Sequence, residues 1–235
     1  MFAFKVLKMG DSHVFTTVKS LQKRLHKQRE KSSIGFFPTM GALHHGHITL
    51  VKQALEENDV VVVSIFVNPT QFNNPDDLKK YPRTLERDLE LLSEAGDVIV
   101  FAPDVDTVYP KNYEKLNVKL GKLGETMEGE FRPGHFDGVM NVVKRFFDIV
   151  RPDRAYFGMK DFQQVAVIKH MVKATNDSVE IVVCDIVREE SGLASSSRNM
   201  RLTDQQKEEA LIIIQTLRHL KSIVTTYPPQ KAWKK

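Results

Sequence analysis

The sequence predicts a doubly wound α/β fold, a parallel β-sheet with helices on both faces. Three observations carry that expectation. Apolar runs of strand length alternate with segments whose apolar residues recur every three or four positions. The run Val60-Val61-Val62-Val63-Ser64-Ile65-Phe66-Val67 is almost wholly apolar, as suits a central parallel strand covered on both faces. Polar clusters follow the strand ends, which is where sheets of this class bind ligands.

The elements follow in order. Leu21 and Leu25, four apart, predict an early helix. Ile34-Gly35-Phe36-Phe37 predicts a buried strand near 34–38, and Ile48, Leu50, Val51 and Leu55 predict a helix over about 47–57. The strand at 60–67 follows, then a helix marked by Leu85, Leu89 and Leu92 and a strand at Val98-Ile99-Val100-Phe101. Residues 138–150 read as a helix, Ala155-Tyr156-Phe157 as a short strand, 161–174 as a helix and 179–187 as a strand. A last helix over about 203–226 leads to Tyr227-Pro228-Pro229 and a basic tail with Lys231, Lys234 and Lys235.

Bulk properties narrow the class. A hydrophobic content of 41% and a charged content of 27% fit a soluble globular protein. Cys184 is the only cysteine, which excludes an intramolecular disulfide and fits a reducing compartment. It sits in a strand-like run and reads as packing rather than nucleophile. Neither a signal peptide nor a membrane-length apolar run is legible, so no membrane partner is expected. Net charge is +4, but residues 1–186 carry 25 basic and 25 acidic residues, so the excess lies in 187–235. No basic stripe with interleaved aromatics appears, which argues against nucleic acid. The charge near Arg188, Arg198 and Arg201 suits a small polyphosphate instead.

The richest segment is Pro38-Thr39-Met40-Gly41-Ala42-Leu43-His44-His45-Gly46-His47. A strand delivers it to a helix start, where backbone N–H groups and the positive dipole end favour phosphate. His44 and His47, three apart on that turn, share a face and point to phosphoryl chemistry. A single histidine is more often a hydrogen-bonded structural residue, and zinc lacks a third ligand at a familiar spacing. The Walker pattern is absent. Further clusters follow the other strands: Asn68, Pro69 and Gln71; Gly158, Lys160, Asp161 and Gln164; and Arg188 with Ser195-Ser196-Ser197-Arg198-Asn199. Asp76, Asp77 and Asp88 read as surface charge or helix caps rather than metal ligands.

With these stretches in view, the chain resembles the pantothenate synthetase (pantoate–β-alanine ligase) family. The matching residues are 38–47, Phe66-Val67-Asn68-Pro69-Thr70-Gln71-Phe72, Tyr81-Pro82-Arg83-Thr84, and Glu128-Gly129 with Arg132-Pro133-Gly134-His135-Phe136. Gly158-Met159-Lys160-Asp161-Phe162-Gln163-Gln164 and the stretch from Arg188-Glu189 to Asn199 complete the set, in family order over roughly 34–202. A lone His-x-Gly-His would indicate only the wider nucleotidyltransferase superfamily. The resemblance implies a Rossmann-like domain over 1–186 and a smaller C-terminal lid region over 187–235 that carries a mobile Ser-Ser-Arg loop. It implies a two-step reaction: pantoate and ATP form pantoyl adenylate and pyrophosphate, then β-alanine displaces AMP to give pantothenate. It also implies Mg2+ accompanying ATP rather than a protein-held metal, a homodimer and a cytoplasmic setting.

By residue match the resemblance implies that Met40, Gly41, Ala42, Leu43, His44, His45, Gly46 and His47 line the ATP site. Gly158, Met159, Lys160, Asp161, Val187, Ser195, Ser196, Ser197 and Arg198 join them. His47, His44 and Lys160 would be catalytic, His47 as proton donor or electrostatic stabiliser. Lys160 would neutralise phosphates, and Gly158 would let backbone approach the nucleotide closely. Asp161 would either cap the next helix or accept from ribose. Val187, at a strand end, would meet adenine. Gln71 and Gln164 would bind pantoate, with Gln71 also meeting β-alanine. Asn68 and Tyr81 are weaker candidates in the same pocket, and Arg132 and His135 would form its wall. Without the match, Ser195-Ser196-Ser197 would read as a flexible linker.

Departures from the family pattern are Met159 for Glu, Ser195 for an apolar residue and Asn141 for Thr. The family's small lid sheet is not legible after the last helix, so slower turnover or hydrolytic leakage of the adenylate is expected. A nucleotidyltransferase that stops at nucleotidyl transfer, and a nucleotide-binding remnant, stand beside the ligase reading.

Overall fold

The computed structural model describes residues 13–226; Tyr227-Pro228-Pro229 and the basic tail expected after the last helix lie outside the described residues. Six parallel strands form one sheet among the described residues: β1 (Val14–Phe15), β2 (Ile34–Thr39), β3 (Val60–Ile65), β4 (Ile99–Phe101), β5 (Arg154–Gly158) and β6 (Glu180–Cys184). Their order is β1-β4-β3-β2-β5-β6. The helices are α1 (Val18–Arg29), α2 (His45–Glu57), α3 (Pro75–Lys80), α4 (Leu85–Ala95), α5 (Val105–Val108), α6 (Lys122–Glu125), α7 (Glu128–Phe131), α8 (His135–Val150), α9 (Phe162–Thr175) and α10 (Asp204–Thr226). The chain divides into two compact units after Asp185. The first holds the whole sheet; the second, from Ile186, holds α10.

Strand order explains where the site forms. From β2 the chain steps to β3 and β4 on one side, then returns after α8 to place β5 on the other side of β2. The segments leaving the carboxyl ends of β2 and β5 therefore diverge, and a crevice opens between them. The register is continuous across β2 and β3, from Ile34 opposite Val60 to Thr39 opposite Ile65, so the two strands end level.

Side-chain alternation along the strands builds the two layers. One face carries Phe36, Val62, Phe101 and Phe157, which join Leu21 and Leu25 of α1, Phe146 of α8 and Ile168 of α9 in one core. Phe146 sits edge-to-face with Phe36, Phe66 and Phe101 at centroid distances of 5.8, 5.9 and 6.1 Å. On the alternate positions Phe37, Val61 and Val63 are equally buried, as are Leu50, Val51 and Ala54 of α2 and Leu92 of α4. The doubly wound expectation holds, including the doubly covered β3.

Three details differ from the sequence expectation. The strand expected over 179–187 ends at Cys184, so Val187 lies beyond its end; Val187 O instead accepts from Ser195 N at 3.0 Å, beside the antiparallel bridge of Arg188 with Ala194. Helix α8 begins at His135 rather than 138, because His135 is buried and held by its ring rather than exposed in a turn. The short elements β1, α3 and α5 to α7 have too few residues to show a period. Cys184 is buried and its thiol is pushed up to about 11 by that burial, which leaves it a packing residue.

Gly138 lies where α8 crosses the 3₁₀ turn Pro69–Gln71. A Cβ there would run into the Thr70 carbonyl, 2.7 Å from its carbon, and 2.8 Å from Gln71 Cα. Gly138→Ala is expected to lower the unfolding free energy by about 1–3 kcal/mol through overpacking, despite better helix propensity. Urea denaturation measures this, and unchanged stability would show that the crossing has slack.

Candidate active site

The loop after β2 is held from below. Thr39 Oγ1 donates to Ser64 O at 2.7 Å and accepts from Gly41 N at 3.1 Å. Gly41 and Ala42 then take left-handed conformations, with φ of 77° and 52°. Such a turn is easy for glycine and strained for alanine. Asp88 of α4 compensates: its carboxylate accepts from Ala42 N at 3.0 Å, Leu43 N at 2.8 Å and Thr84 Oγ1 at 3.2 Å. Asp88 is only 1% exposed, so the expectation of surface charge is wrong for this residue. Burial raises its pKa, against the lowering effect of these hydrogen bonds. Asp76 and Asp77 do lie in the first turn of α3, where carboxylates complement the helix dipole.

This arrangement corrects the simple picture of a loop full of available N–H groups. The amides of Ala42 and Leu43 are committed to Asp88, which leaves the start of α2, at His45 and Gly46, to face an anion. His44 is the N-cap of α2, and its backbone N–H donates to His47 Nδ1 at 3.3 Å. The two imidazoles lie 4.0 Å apart between centroids, tilted by 36°. Burial, then His44, then Lys160 push the His47 pKa down to about 3. With Nδ1 accepting, the neutral ring carries its proton on Nε2.

Lys160 follows β5 in the 3₁₀ turn Met159–Asp161, with Nζ 3.8 Å from Asp161 Oδ2. Lys160 is the third contributor to the lowered His47 pKa, after burial and His44. Asp161 makes no side-chain cap to α9, which removes the capping alternative. At Gly158 an added Cβ would make only an ordinary 3.7 Å contact with Leu50, so the protein's own packing does not require glycine there.

The segment after β3 orients an amide. Asn68, 1% exposed, accepts on Oδ1 from Thr70 N at 3.3 Å, Thr70 Oγ1 at 3.0 Å and Tyr109 Oη at 3.0 Å. Burial pushes the Tyr109 hydroxyl up to about 12, so it stays a donor. Asn68 Nδ2 donates to Gly138 O at 3.2 Å and to Gln71 Oε1 at 3.1 Å. Because Thr70 N only donates and Gly138 O only accepts, the Asn68 amide has one orientation. Gln71 is thereby turned with Nε2 towards the loop after β2, where it donates to Met40 Sδ at 3.1 Å. Its carbonyl accepts from His135 Nδ1 at 2.8 Å and Arg132 Nη2 at 3.4 Å, and Arg132 Nη1 pairs with Glu128 at 2.6 Å. Arg132 and His135 thus hold Gln71 through its backbone. Asn73 also donates to Pro133 O.

Neighbouring glutamines differ. Gln163 is buried and accepts from Glu128 N at 3.0 Å while donating to Leu123 O and Thr126 O, each at 2.8 Å, which ties α6 and α7 to α9. Gln164 is half-buried at the start of α9. Tyr81 is buried edge-to-face against Phe72. Asn141 Oδ1 accepts from Tyr113 Oη at 2.9 Å and Leu116 N at 2.8 Å, so this departure from the family pattern is itself used to pin a loop.

In the second unit Ser195 is buried and Ser196 caps the 3₁₀ turn Ser197–Arg201, its Oγ accepting from Arg198 N at 3.3 Å. Asn199 Nδ2 donates to Glu189 Oε1 at 2.7 Å and Ala194 O at 3.0 Å. This hydrogen-bonded turn is not the linker that three serines alone would indicate. The residues missed by sequence reasoning are Asp88 as a loop clamp and Tyr109 as the donor that orients Asn68; neither has a local pattern to betray a contact 40 or more positions away.

The His47 pKa has a consequence for stability. Its native value of about 3 lies below the ordinary 6.5, so the unfolded chain takes up the proton first as pH falls. The contribution is full above about pH 6.5 and is lost progressively towards pH 3. His47→Gln is expected to flatten the fall in unfolding free energy between about pH 6.5 and 4, measured by urea denaturation at each pH. Curves parallel to wild type would mean that the native ring titrates normally.

Comparison with known proteins agrees with this architecture. A family model described as Pantoate-beta-alanine ligase matches residues 13–234. Pantothenate synthetase from Aquifex aeolicus is 55% identical over 201 residues, covering 85% of this chain and 71% of that protein. The Phocaeicola vulgatus enzyme of the same name is 57% identical over 203 residues, covering 86% and 72%. The crystal structure of pantothenate synthetase from Thermus thermophilus superposes with a TM-score of 0.85 at 44% identity, covering 91% of this chain and 76% of that one. The Francisella tularensis pantoate-beta-alanine ligase, solved in complex with beta-gamma ATP and beta-alanine, gives 0.81 at 44% identity, covering 87% and 78%. A Rossmann-like sheet with paired histidines at its switch point and this breadth of similarity lead to one conclusion: the chain belongs to the pantoate–β-alanine ligase family.

Proposed function

We propose that the groups gathered at the carboxyl ends of β2, β3 and β5 carry out the family's reaction, ATP-dependent condensation of pantoate with β-alanine. In the first step a pantoate carboxylate oxygen attacks the α-phosphorus of ATP, the bond from that phosphorus to the bridging oxygen breaks, and pyrophosphate leaves. In the second, the neutral amine of β-alanine attacks the acyl carbon of pantoyl adenylate, AMP leaves with the bonding pair, and the amine loses a proton. The carrying observation is that the His44–His47 ring pair, Gln71 and Lys160 all follow the carboxyl ends of adjacent strands, with the two rings 4.0 Å apart and Gln71 Nε2 3.1 Å from Met40 Sδ.

The roles follow from the chemistry of each group. The start of α2 and the loop Met40 to His47 receive ATP phosphates. His47 donates from Nε2 to charge developing on the transferring phosphate, with His44 beside it, and neutrality of the ring lets it donate without giving up its proton. Lys160 supplies the fixed positive charge. Gln71 presents N–H donors to pantoate and to the β-alanine that replaces pyrophosphate in the site; Gln164 is the second pantoate ligand. Gly158, Met159 and Asp161 are assigned to ATP, as are Val187 and Ser195 to Arg198 of the second unit, which we read as the lid region, on the family match alone. Mg2+ is read as part of the ATP substrate, held by phosphate oxygens and water. A homodimer and a cytoplasmic setting complete the proposal. No helix among the described residues is long and apolar enough to cross a membrane.

The decisive assay is pantoate-dependent exchange of pyrophosphate into ATP without β-alanine, followed by β-alanine-dependent release of AMP and pantothenate. Both activities are expected. Binding of ATP and pantoate without exchange would overturn the reading. His47→Ala should lower kcat by about 10²–10³-fold in a folded protein. Gln164→Ala should raise the KM for pantoate more than that for ATP.

The Asn68 relay makes a separate prediction. Asn68→Asp replaces a donor to Gln71 with an acceptor, so the Gln71 amide must rotate and offer oxygen to an anionic substrate. An increase of about 10-fold or more in the KM for pantoate is expected, with that for ATP little changed. Equal KM values would show that the relay does not orient Gln71.

A further inference from the structure

Asp88 belongs to none of the groups assigned to substrate, yet its surroundings are those of a functional element. It is a buried carboxylate, and each of its oxygens meets a backbone amide of a loop 45 to 46 residues away in the chain. Those amides, of Ala42 and Leu43, sit where the backbone turns left-handed twice in succession. An added Cβ at Gly41 would lie 2.9 Å from Asp88 Oδ2, so carboxylate and loop are closely packed. Thr84 steadies the carboxylate from its own side, at the N-cap of α4. Immediately after the two bonded amides come His44, the N-cap of α2, and the His44–His47 contact.

The geometry points to Asp88 as a positioning residue for adenylation: it clamps the Ala42-Leu43 turn so that the start of α2 and the two imidazoles meet the transferring phosphate. Asp88 reaches no substrate in this assignment and acts only through the loop. The chemistry calls for a carboxylate in particular. Two N–H donors converge on two oxygens, and asparagine would turn an NH2 group towards one of them, leaving a donor facing a donor in a buried site. The strained φ at Ala42 then has less to hold it, and the loop relaxes away from the left-handed turn. A displacement on the scale of an ångström at reacting groups costs on the order of 10²-fold in rate. The inference rests on reading this loop as the ATP loop, and the test separates the two claims.

The test uses Asp88→Asn, with Thr84→Val as a second variant that removes the hydroxyl holding the carboxylate from its own side. Two readouts are needed. Residue-resolved amide hydrogen exchange reports the clamp without reference to activity: Ala42 and Leu43 are expected to lose protection by about 10-fold or more in Asp88→Asn, while Val62 and Val63 of β3 keep theirs. The half-reactions report the consequence. Pantoate-dependent ATP–pyrophosphate exchange should fall by about 10²-fold, while conversion of supplied pantoyl adenylate and β-alanine to pantothenate stays within about 3-fold of wild type. Thr84→Val should show the same split between half-reactions, to a smaller extent. Unchanged protection at Ala42 and Leu43 would overturn the clamp. Equal loss in both half-reactions would overturn the positioning role and leave Asp88 a residue of general stability. A wild-type chain without exchange activity would count against the ligase reading, and the hydrogen-exchange result would still decide for or against the clamp.

Discussion

The catalytic rim hangs from the pairing of β2 with a parallel neighbour on each side, β3 along its full length and β5 at Gly35 and Phe36. Parallel strands need crossovers, and crossovers need helices that cover both faces. Once β3 and β5 flank β2 and their chains run off in opposite directions, the carboxyl ends of three strands must stand side by side with a crevice among them. The core makes that placement rigid: Phe146 closes on Phe36, Phe66 and Phe101 from one face, and α2 and α4 bury Leu50, Val51 and Leu92 on the other. The polar groups at the rim can be few because the sheet already aims them.

What the rim offers a ligand is set by hydrogen bonds beneath it. Tyr109 donates to Asn68, Asn68 donates to Gln71 Oε1, and Gln71 Nε2 is thereby directed to the loop after β2, at Met40 Sδ. His44 donates to His47 Nδ1, which leaves His47 with its proton on Nε2. In both cases the orientation traces to a group that can play only one part, a backbone N–H or a carbonyl. Burial, then His44, then Lys160 hold the His47 pKa well below that of an ordinary imidazole, which favours its neutral form. The departures from the family pattern are compatible with this arrangement. Met159 is partly exposed beside Lys160, and Asn141 takes on a structural task of its own.

Much of this was legible in the residues because strands and helices announce themselves by period. The apolar run at 60–67, the leucines of α4 and the alternation of elements are local properties, and they sufficed for a doubly wound sheet. The site's candidates were legible because they fall after strand ends and within a recognisable series of motifs. Boundaries were less so: β6 stops at Cys184 because the next residues leave the sheet to pair with Ala194 and Ser195, a choice made by partners further along the chain. Asp88 was misread for the same reason. Among the charged residues of an amphipathic helix nothing local separates a solvated carboxylate from one that receives two distant amides.

Sequence alone established the α/β class and the family, and named candidates for the site, since these depend on periodicity and on motif order. The folded chain supplied the rest: which loop amides are already bound, which group the Gln71 amide meets, and the burial that lowers the His47 pKa. Those properties arise from distances and burial between residues that are remote in sequence. Hydrogen-bond polarity and ionisation depend on what surrounds a group in space, and no spacing along the chain encodes it.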